Sequence, residues 1–478
     1  MPYLISLPKP GTIHCDSGLD VARIHMFLMI IDTGIIAVCC FAALAFGSNM
    51  PWAMGIIVAA TGVLLAIRII YDVWSGKLRL YAGWIYLPLI LFLGLSGAQA
   101  WFWKRPMNAT SLWSIHSVDR YSTILYLLLA ASYIAIVFIV QNGFRSRRQI
   151  KFLLISIVTL GVFESLYGLV QYLGDYDFIW NFEKIADRGL ATGTLINRNH
   201  YALLMNLIIC ASVGFLFYRS KRILRMPKLS LRNAIGNPAS AKLLWIILIV
   251  ALMGFALVFS MSRMGIVAML CSVGVMIAAT SAAESGRRWT VIGTLLLAAV
   301  LGLAVYTGID PVLARFEKIG MERRLEQDRV ALWRDAWPMM KKNPIFGQGF
   351  GSFQWTYPAY ESVEPDIPAK YAHSDYVQAV AEVGVVGLLL LLWAACSLWK
   401  TALKNLRSED PLVGGIGLAT IGALTAIFLQ EITDFGLYIP GVAVMAAVIA
   451  GLNLRASRWR MPREKRVDEP ALISFQQD

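Results

Sequence analysis

The sequence has little charge for its length. Of 478 residues only 15% are Asp, Glu, Lys or Arg, whereas 58% are hydrophobic, far from the balance of a water-soluble domain. That excludes a soluble globular enzyme. The 15 Trp, 18 Tyr and 22 Phe exclude a disordered chain, which stays unfolded for want of apolar surface to bury. Histidine and cysteine are scarce as well. The five His and six Cys form no CxxC pair and no Cys/His cluster, and Cys39, Cys40, Cys210, Cys271 and Cys396 fall inside apolar runs. Neither a disulfide framework nor a zinc site is expected, and these thiols read as small core side chains. Residues 1–25 lack a basic start, an apolar centre and a small-residue cleavage site. They read as a retained cytoplasmic lead-in and not as a signal peptide.

What the sequence has in abundance is apolar runs of about 20 residues, long enough to cross the hydrocarbon core as helices. They are read at 26–46, 51–73, 82–103, 121–141, 152–173, 200–218, 243–260, 265–283, 289–307, 376–398, 412–432 and 441–454. The expected fold class is therefore all-α, a polytopic membrane protein of about 12 transmembrane helices. Helices 1–9 would occupy 26–307, a long outer loop with amphipathic helices 308–375, helices 10–12 residues 376–454, and a basic cytoplasmic tail 455–478. The net charge of +13 is carried by short clusters around Lys77, Arg145, the segment 219–242, Arg287, Lys400 and the tail from Arg455. All of them fall on one side of the predicted spans, which marks the cytoplasm and puts both termini there. Clusters so spaced are a topology signal and not a phosphate-binding stripe, so nucleic acid is not an expected partner.

Segment 308–375 is too long for a simple connection, and ordered loops of this size are often functional. From Glu322 to Asn343 it reads as a helix, with Val330, Trp333, Trp337 and Met340 predicted to form one apolar stripe. The stripe would lie on the outer membrane surface or against the ends of the spans. Pro338 is expected to kink this helix and Pro344 to end it.

Polar residues gather on the outward side. Arg198, Asn199 and His200 close a dense polar run from Thr192 that abuts the sixth span; a helix cap at Asn197 or Asn199 is the plainer alternative. Arg263 opens the eighth span, where free backbone N–H groups and the helix dipole favour an anion, although a snorkelling arginine would look the same. Arg329 borders the apolar stripe of the loop helix, either facing the membrane surface or paired with Glu326 or Asp328. Gly347, Gly349 and Gly351 are not a dinucleotide fingerprint, because no strand precedes them, and read as a backbone turn. His373 closes the loop. A neutral imidazole there can take a proton from a sugar hydroxyl, with Asp375 or Glu382 to orient it, unless it is merely a capping or interfacial histidine. Glu431 and Asp434 stand at the outer end of the eleventh span.

Arginines at an outer membrane surface suit a lipid diphosphate whose tail stays in the bilayer, since the guanidinium fork binds phosphate bidentately and remains charged. A histidine base beside them points to transfer of the group the diphosphate carries. A charge-neutralised diphosphate leaves readily, so the expected cofactor is none and no metal is required.

Taken in order, the run Gly193-Thr-Leu-Ile-Asn-Arg-Asn-His-Tyr201, the Ser-Met-Ser-Arg263-Met-Gly turn, Arg329 with Trp333, Pro344 with Gly347, Gly349, Gly351 and Phe353, His373-Ser-Asp-Tyr, and Thr433-Asp434-Phe435 with Pro440 form a recognisable set. The set resembles the O-antigen ligase and O-antigen (exopolysaccharide) polymerase superfamily over residues 190–450. The resemblance implies a membrane-embedded C-type glycosyltransferase of the bacterial inner membrane. Such enzymes pass a glycan from undecaprenyl diphosphate to an acceptor hydroxyl at the periplasmic face, in surface polysaccharide assembly. It further implies that Arg263 and Arg329 hold the diphosphate, that His373 is the base, and that Arg198, Asn199, His200, Asp375 and Asp434 bind substrate. Arg198 and His200 match a motif of a subgroup. Ser374-Asp375 stands where many ligases have Asn, which bears on the acceptor: lipid A core, a growing lipid-linked glycan, or protein. The competing class is a transporter or flippase of lipid-linked glycan without transferase activity. Twelve spans and the basic segment 219–242 favour it; the few charges within spans (Asp32, Arg68, Glu164 and Glu382) and the lack of a repeat between halves count against it.

Overall fold

The computed structural model describes residues 18–75, 83–102, 113–224, 238–281, 323–362 and 369–459. Thirteen α-helices lie in these segments: α1 (Gly18–Leu44), α2 (Pro51–Trp74), α3 (Tyr86–Trp101), α4 (Arg120–Gly143), α5 (Arg147–Leu173), α6 (Arg198–Leu224), α7 (Pro238–Val258), α8 (Arg263–Ser281), α9 (Arg323–Lys342), α10 (Phe353–Thr356), α11 (Asp375–Leu406), α12 (Pro411–Gln430) and α13 (Pro440–Trp459). A short antiparallel hairpin, β1 (Phe178–Ile179) and β2 (Phe182–Glu183), pairs Ile179 with Phe182 between α5 and α6. Ten of the helices are long and apolar enough to cross a membrane, so the chain is a polytopic all-α membrane protein. The expected helix over 82–103 is represented by the 16-residue α3. The expected span 289–307, the lead-in 1–17 and the tail beyond 459 lie outside the described residues.

Short polar residues start these helices where the apolar runs begin. Asp119 accepts from the Ser122 N–H, Ser146 and Gln149 form a reciprocal capping box, and Asp410 accepts from the Leu412 N–H. Burial then sorts the spans into layers. α6, α12 and α13 bury 94%, 83% and 89% of their apolar windows, against 33% for α1 and for α2. A central trio is therefore ringed by helices whose outer faces keep Ile, Leu, Val and Trp exposed, as a hydrocarbon solvent permits. Cys271 and Cys396 lie on exposed faces, not in the core where the sequence put them.

The opposite ends of these helices differ in character. At one end, Arg68 pairs with Asp72 through Nε (2.9 Å) and Nη2 (2.8 Å) and donates to the Asn142 carbonyl (3.1 Å). Arg455 donates to the carbonyls of Phe144 (2.6 Å) and Arg145 (2.8 Å), and Arg458 donates to the Asn142 side chain (2.9 Å). The sequence counts Arg455 with the basic tail; here it is buried within α13, because the carbonyls that end α4 need donors that water cannot supply there.

Helix α9 forms where its periodicity predicts, and runs through Pro338 to Lys342. Its buried face is another matter. Leu332, Ala336, Met339 and Met340 pack on Phe353, Tyr357, Ala372 and Ala381, while Val330 and Trp337 are 61% and 55% exposed. The expected stripe is thus corrected. The helix rests on its own loop and the start of α11, and small Ala336, not bulky Trp337, meets that close surface. The side chains of Glu326 and Asp328 lie outside the described residues.

Helix α11 is broken at Gly384 (φ 67°, ψ −175°). The glycine segment threads the break: Gln348 and Gly349 donate to the carbonyls of Ala381 and Glu382 (2.9 Å each), and Val385 and Val386 donate to those of Pro344 (2.9 Å) and Ile345 (3.2 Å). A side chain at Gly347 would overlap the Glu382 backbone, and one at Gly384 would overlap Ile345. Backbone groups freed inside a span must find partners in the protein, and this segment supplies them.

Between α1 and α2 the chain turns through Phe46 (φ 58°), Gly47 (φ 65°) and Ser48 (φ 55°). A left-handed backbone costs roughly 1–2 kcal/mol per residue that carries a Cβ. Packing fixes the turn, since a Cβ on Gly47 would come within 3.2 Å of Leu195 and 3.3 Å of Ile439.

Candidate functional site

At the other end of the bundle the polar groups converge on Phe435. Its ring lies edge-on to His200 (centroids 4.7 Å, 77°) and to His373 (4.9 Å, 80°), and stacks on Tyr371 (4.2 Å, 14°). Asp434, the residue before it, is buried, and its Oδ1 lies 3.6 Å from His200 Nε2. Neither Asp434 oxygen has a hydrogen-bond donor in the structure, and the same holds for His200 Nε2 and His373 Nδ1. Burial alone would raise the Asp434 carboxyl; the two histidines and the Phe435 backbone bring it below the usual carboxylate range.

His373 is held by three elements. It stands in a left-handed conformation (φ 50°) just before Ser374, whose hydroxyl caps α11. On one side, Trp333 of α9 donates to the Ala372 carbonyl (2.8 Å). On the other, the Asp375 N–H donates to the carbonyls of Glu431 (3.1 Å) and Asp434 (2.9 Å). Arg329 is one turn before Trp333 on the same face of α9, and its charge acts on the imidazole. Burial first, then Arg329, pull the His373 pKa down to about 4, with Asp434 opposing them. The ring is therefore neutral and able to accept a proton.

Arg263 is the first residue of α8 and follows Met261, itself left-handed (φ 52°). Its turn docks on the start of α6: Ser262 Oγ donates to Asn199 Oδ1 (2.8 Å), and Asn206 donates to the Gly265 carbonyl (3.0 Å). Gln430 donates to the Asn199 carbonyl (2.6 Å), and Asn197 Oδ1 accepts the Asn199 N–H (2.7 Å), the cap expected at this helix. Asn199 thus joins α6, α8 and α12. Arg198 pairs with Asp187 (3.4 Å) in the segment between the hairpin and α6.

The remaining acids shape the site from behind. Asp375 Oδ2 accepts the Leu437 N–H (3.2 Å) and Glu431 Oε2 the Gly436 N–H (2.7 Å), fixing the turn that presents Asp434 and Phe435. Burial and the neighbouring Asp375 and Asp434 charges push Glu431 well above the usual range. Glu382 does not orient His373, as the sequence allowed. It accepts from Gly351 N (2.7 Å), Phe353 N (3.1 Å) and Tyr438 OH (2.6 Å), so it anchors the glycine segment. Sequence reasoning missed the part played by Glu164 of α5, which accepts from the Thr194 N–H (2.9 Å) and hydroxyl (2.6 Å), and by Gln171, which accepts from the Thr192 N–H (3.0 Å). These two clamp the run that leads into α6. An acid isolated in an apolar span was the available signal.

A cavity of about 140 Å³ opens beside the cluster, lined by Phe46, Asn49, Leu195, Ile196, Asn197, His200, Tyr371, Phe435 and Ile439. Among the described residues, no group of three or more His, Cys, Asp or Glu could hold a metal ion.

Residues 248–392, which contain Arg263, Arg329 and His373, match the family model described as O-antigen ligase. No curated protein matches the chain. That match over residues 248–392, within a bundle of membrane-length helices, points to a bacterial membrane protein and supports a ligase- or polymerase-like role in polysaccharide assembly, as the resemblance to the O-antigen ligase and polymerase superfamily implies.

Proposed function

We propose that the protein transfers a glycan from an undecaprenyl-diphosphate donor to an acceptor hydroxyl at the periplasmic face of the bacterial inner membrane. Both termini are then cytoplasmic. The observation that carries this reading is the convergence of His200, His373 and Asp434 on Phe435, with the Arg329 charge acting on His373. Arg263, at the N-terminus of α8, and Arg329 hold the diphosphate by charge-assisted hydrogen bonds. His373 takes the proton of the acceptor hydroxyl as its oxygen attacks the anomeric carbon. The bond from that carbon to the diphosphate oxygen breaks, and the arginines meet the charge that develops on the leaving group. Asp434 stabilises the imidazolium. His200 faces the bound substrate, while Arg198, Asn199 and Asp375 support the surfaces that contact it.

One consequence follows from the electrostatics. Burial and then Arg329 hold the basicity of His373 down. A diphosphate bound to Arg329 reverses the local charge and raises that basicity, so the base strengthens when the donor is in place. The transporter alternative finds less support. Asp32 accepts from Gln149, Arg68 pairs with Asp72, Glu164 holds Thr194 and Glu382 holds Gly351. All four charges within spans thus serve as anchors.

The test is a purified protein in liposomes with undecaprenyl-diphosphate-linked repeat units, with and without a lipid A core acceptor, resolved on a gel. A ladder of longer lipid-linked glycans without acceptor identifies a polymerase, and product seen only with acceptor identifies a ligase. Intact donor in every lane overturns the reading.

A further inference from the structure

The cavity beside Phe435 has a wall that the transfer chemistry leaves unused. It is built by the left-handed turn from Phe46 to Ser48 and by Asn49, all far outside the segment matched by the family model. Asn49 lines the cavity, and its Oδ1 is buried without a hydrogen-bond partner. Asn197 and His200 also line it, with His200 Nε2 turned to Asp434 Oδ1 at 3.6 Å. Tyr371 and Phe435, stacked on each other with centroids 4.2 Å apart, give it an aromatic wall. Phe46 forms part of the wall, and its ring meets Phe182 of the hairpin edge-on at 5.4 Å.

Each of these features narrows the occupant. Buried polar atoms in native proteins are hydrogen-bonded as a rule, so the orphaned carboxamide oxygen of Asn49 beside this cavity calls for a ligand with hydroxyl groups. A lipid tail would leave it unmet. A diphosphate needs cations, and no Arg or Lys is among the described residues that line the cavity. A sugar ring has both properties required: C–H groups that pack on an aromatic wall, and hydroxyls around its rim. About 140 Å³ of space, at ~10–15 Å³ for each water-sized group, holds on the order of ten non-hydrogen atoms, the scale of one pyranose.

We propose that Asn49, Asn197 and His200 beside the Tyr371 and Phe435 rings form a subsite for one sugar ring of the donor or acceptor glycan, with the strained turn after α1 serving to aim Asn49 into it. Strain of this kind persists where surrounding packing over-determines it, and here Leu195 and Ile439 do so. The inference rests on the glycosyl-transfer reading above. The ring can belong to the donor, as the sugar next to the diphosphate, or to the acceptor, as its terminal sugar.

The experiment measures binding to the full-length protein in nanodiscs. The probes are undecaprenyl diphosphate alone and undecaprenyl diphosphate bearing one glucose, galactose or N-acetylglucosamine. Acceptor KM is measured alongside with the repeat-unit substrates. Asn49→Ala should lose about tenfold in affinity for a sugar-bearing probe, the factor that goes with a lost hydrogen bond, and keep wild-type affinity for the sugar-free lipid. That outcome assigns the subsite to the donor; a KM for acceptor raised about tenfold, with donor binding unchanged, assigns it to the acceptor. Asn49→Leu, close in size and without the acceptor oxygen, tests the same site should the alanine variant misfold. Wild-type values in both readouts for the folded Asn49 variants overturn the subsite and leave the transferase reading intact. Failure of the wild-type protein to bind any lipid diphosphate overturns that reading and the subsite with it.

Discussion

Two buried polar clusters occupy opposite ends of the same helices, and they are built on opposite principles. Around Arg68 and Asp72, side chains 1% and 3% exposed form two hydrogen bonds to each other, and Asn142, Arg145 and Arg455 complete the network. Around Phe435, Asp434 and His200 are likewise buried and His373 is half-buried, yet all three carry ring or carboxylate atoms with no hydrogen bond. Buried polar atoms left without hydrogen bonds are expensive, and such groups cluster at functional sites. The first cluster holds the bundle together; on the function proposed above, the second is where substrate binds.

That contrast can be broken by substitution. The largest effect is expected for His373→Ala, which should lower transfer by about 10²–10⁴-fold in the liposome assay while donor binding persists. Unchanged turnover would remove the base assignment. Next comes Asp72→Ala at the other end. It leaves Arg68 buried without its counter-ion and should cost about 3–5 kcal/mol of stability, read by denaturant unfolding in detergent, with turnover per folded molecule retained. A fully stable Asp72→Ala protein that has lost turnover would show that the two ends do not divide the labour in this way.

Smaller effects sharpen the comparison. Arg329→Gln should weaken donor binding by roughly tenfold, as loss of a charge-assisted contact does, and should also move a pH limb. With His373 held at about 4, the acid limb of kcat/KM for the wild type lies near that value, because protonating the base below it stops the reaction. Removing the Arg329 charge raises that limb, though only in part, since burial is the larger cause; an unmoved limb would separate the two residues. Asp434→Asn should reduce transfer by about tenfold, consistent with loss of imidazolium support. Against the effect of burial, the two histidines and the Phe435 backbone hold this carboxyl below its usual range, so the fold favours its charged form and Asp434→Asn should lower the melting temperature. An unchanged or raised melting temperature would show that the carboxylate is uncompensated.

How much of this was legible in the sequence depends on whether local pattern or distant chain decides the outcome. Helix α9 was visible because Val330, Trp333, Trp337 and Met340 recur at helical spacing, and it packs against the end of a span, one of the two placements expected; the face it buries was not visible, since Leu332, Ala336 and Met339 meet its own loop and the start of α11 while Val330 and Trp337 stay exposed. Gly347, Gly349 and Gly351 read correctly as a turn. What the turn serves, the break at Gly384, was hidden because a single glycine in an apolar run looks like any other residue of a span. The motif residues Arg263 and His373 stood out as polar groups at span ends, and Arg329 as a charge bordering the apolar stripe of the loop helix. Asn49 did not, since only the fold brings the first interhelical turn beside His200 and Phe435. Arg68 and Glu164 were noticed as charges within spans, but their partners lie on other helices and no local spacing reveals them.

The threaded break in α11 bears on how the protein is made. Gly384 lies nine residues into the helix, roughly 13 Å along its axis, and residues 344–349, some 35 positions earlier in the chain, fill the gap there. The loop leaves the ribosome before the helix it completes. A helix inserted without it would carry unpaired amides and carbonyls into lipid, so α11 reaches its final depth only as the loop folds against it. Loop and span are in this respect a single unit of biogenesis, and a chimera that exchanged one without the other would fail at insertion, before any question of catalysis arose.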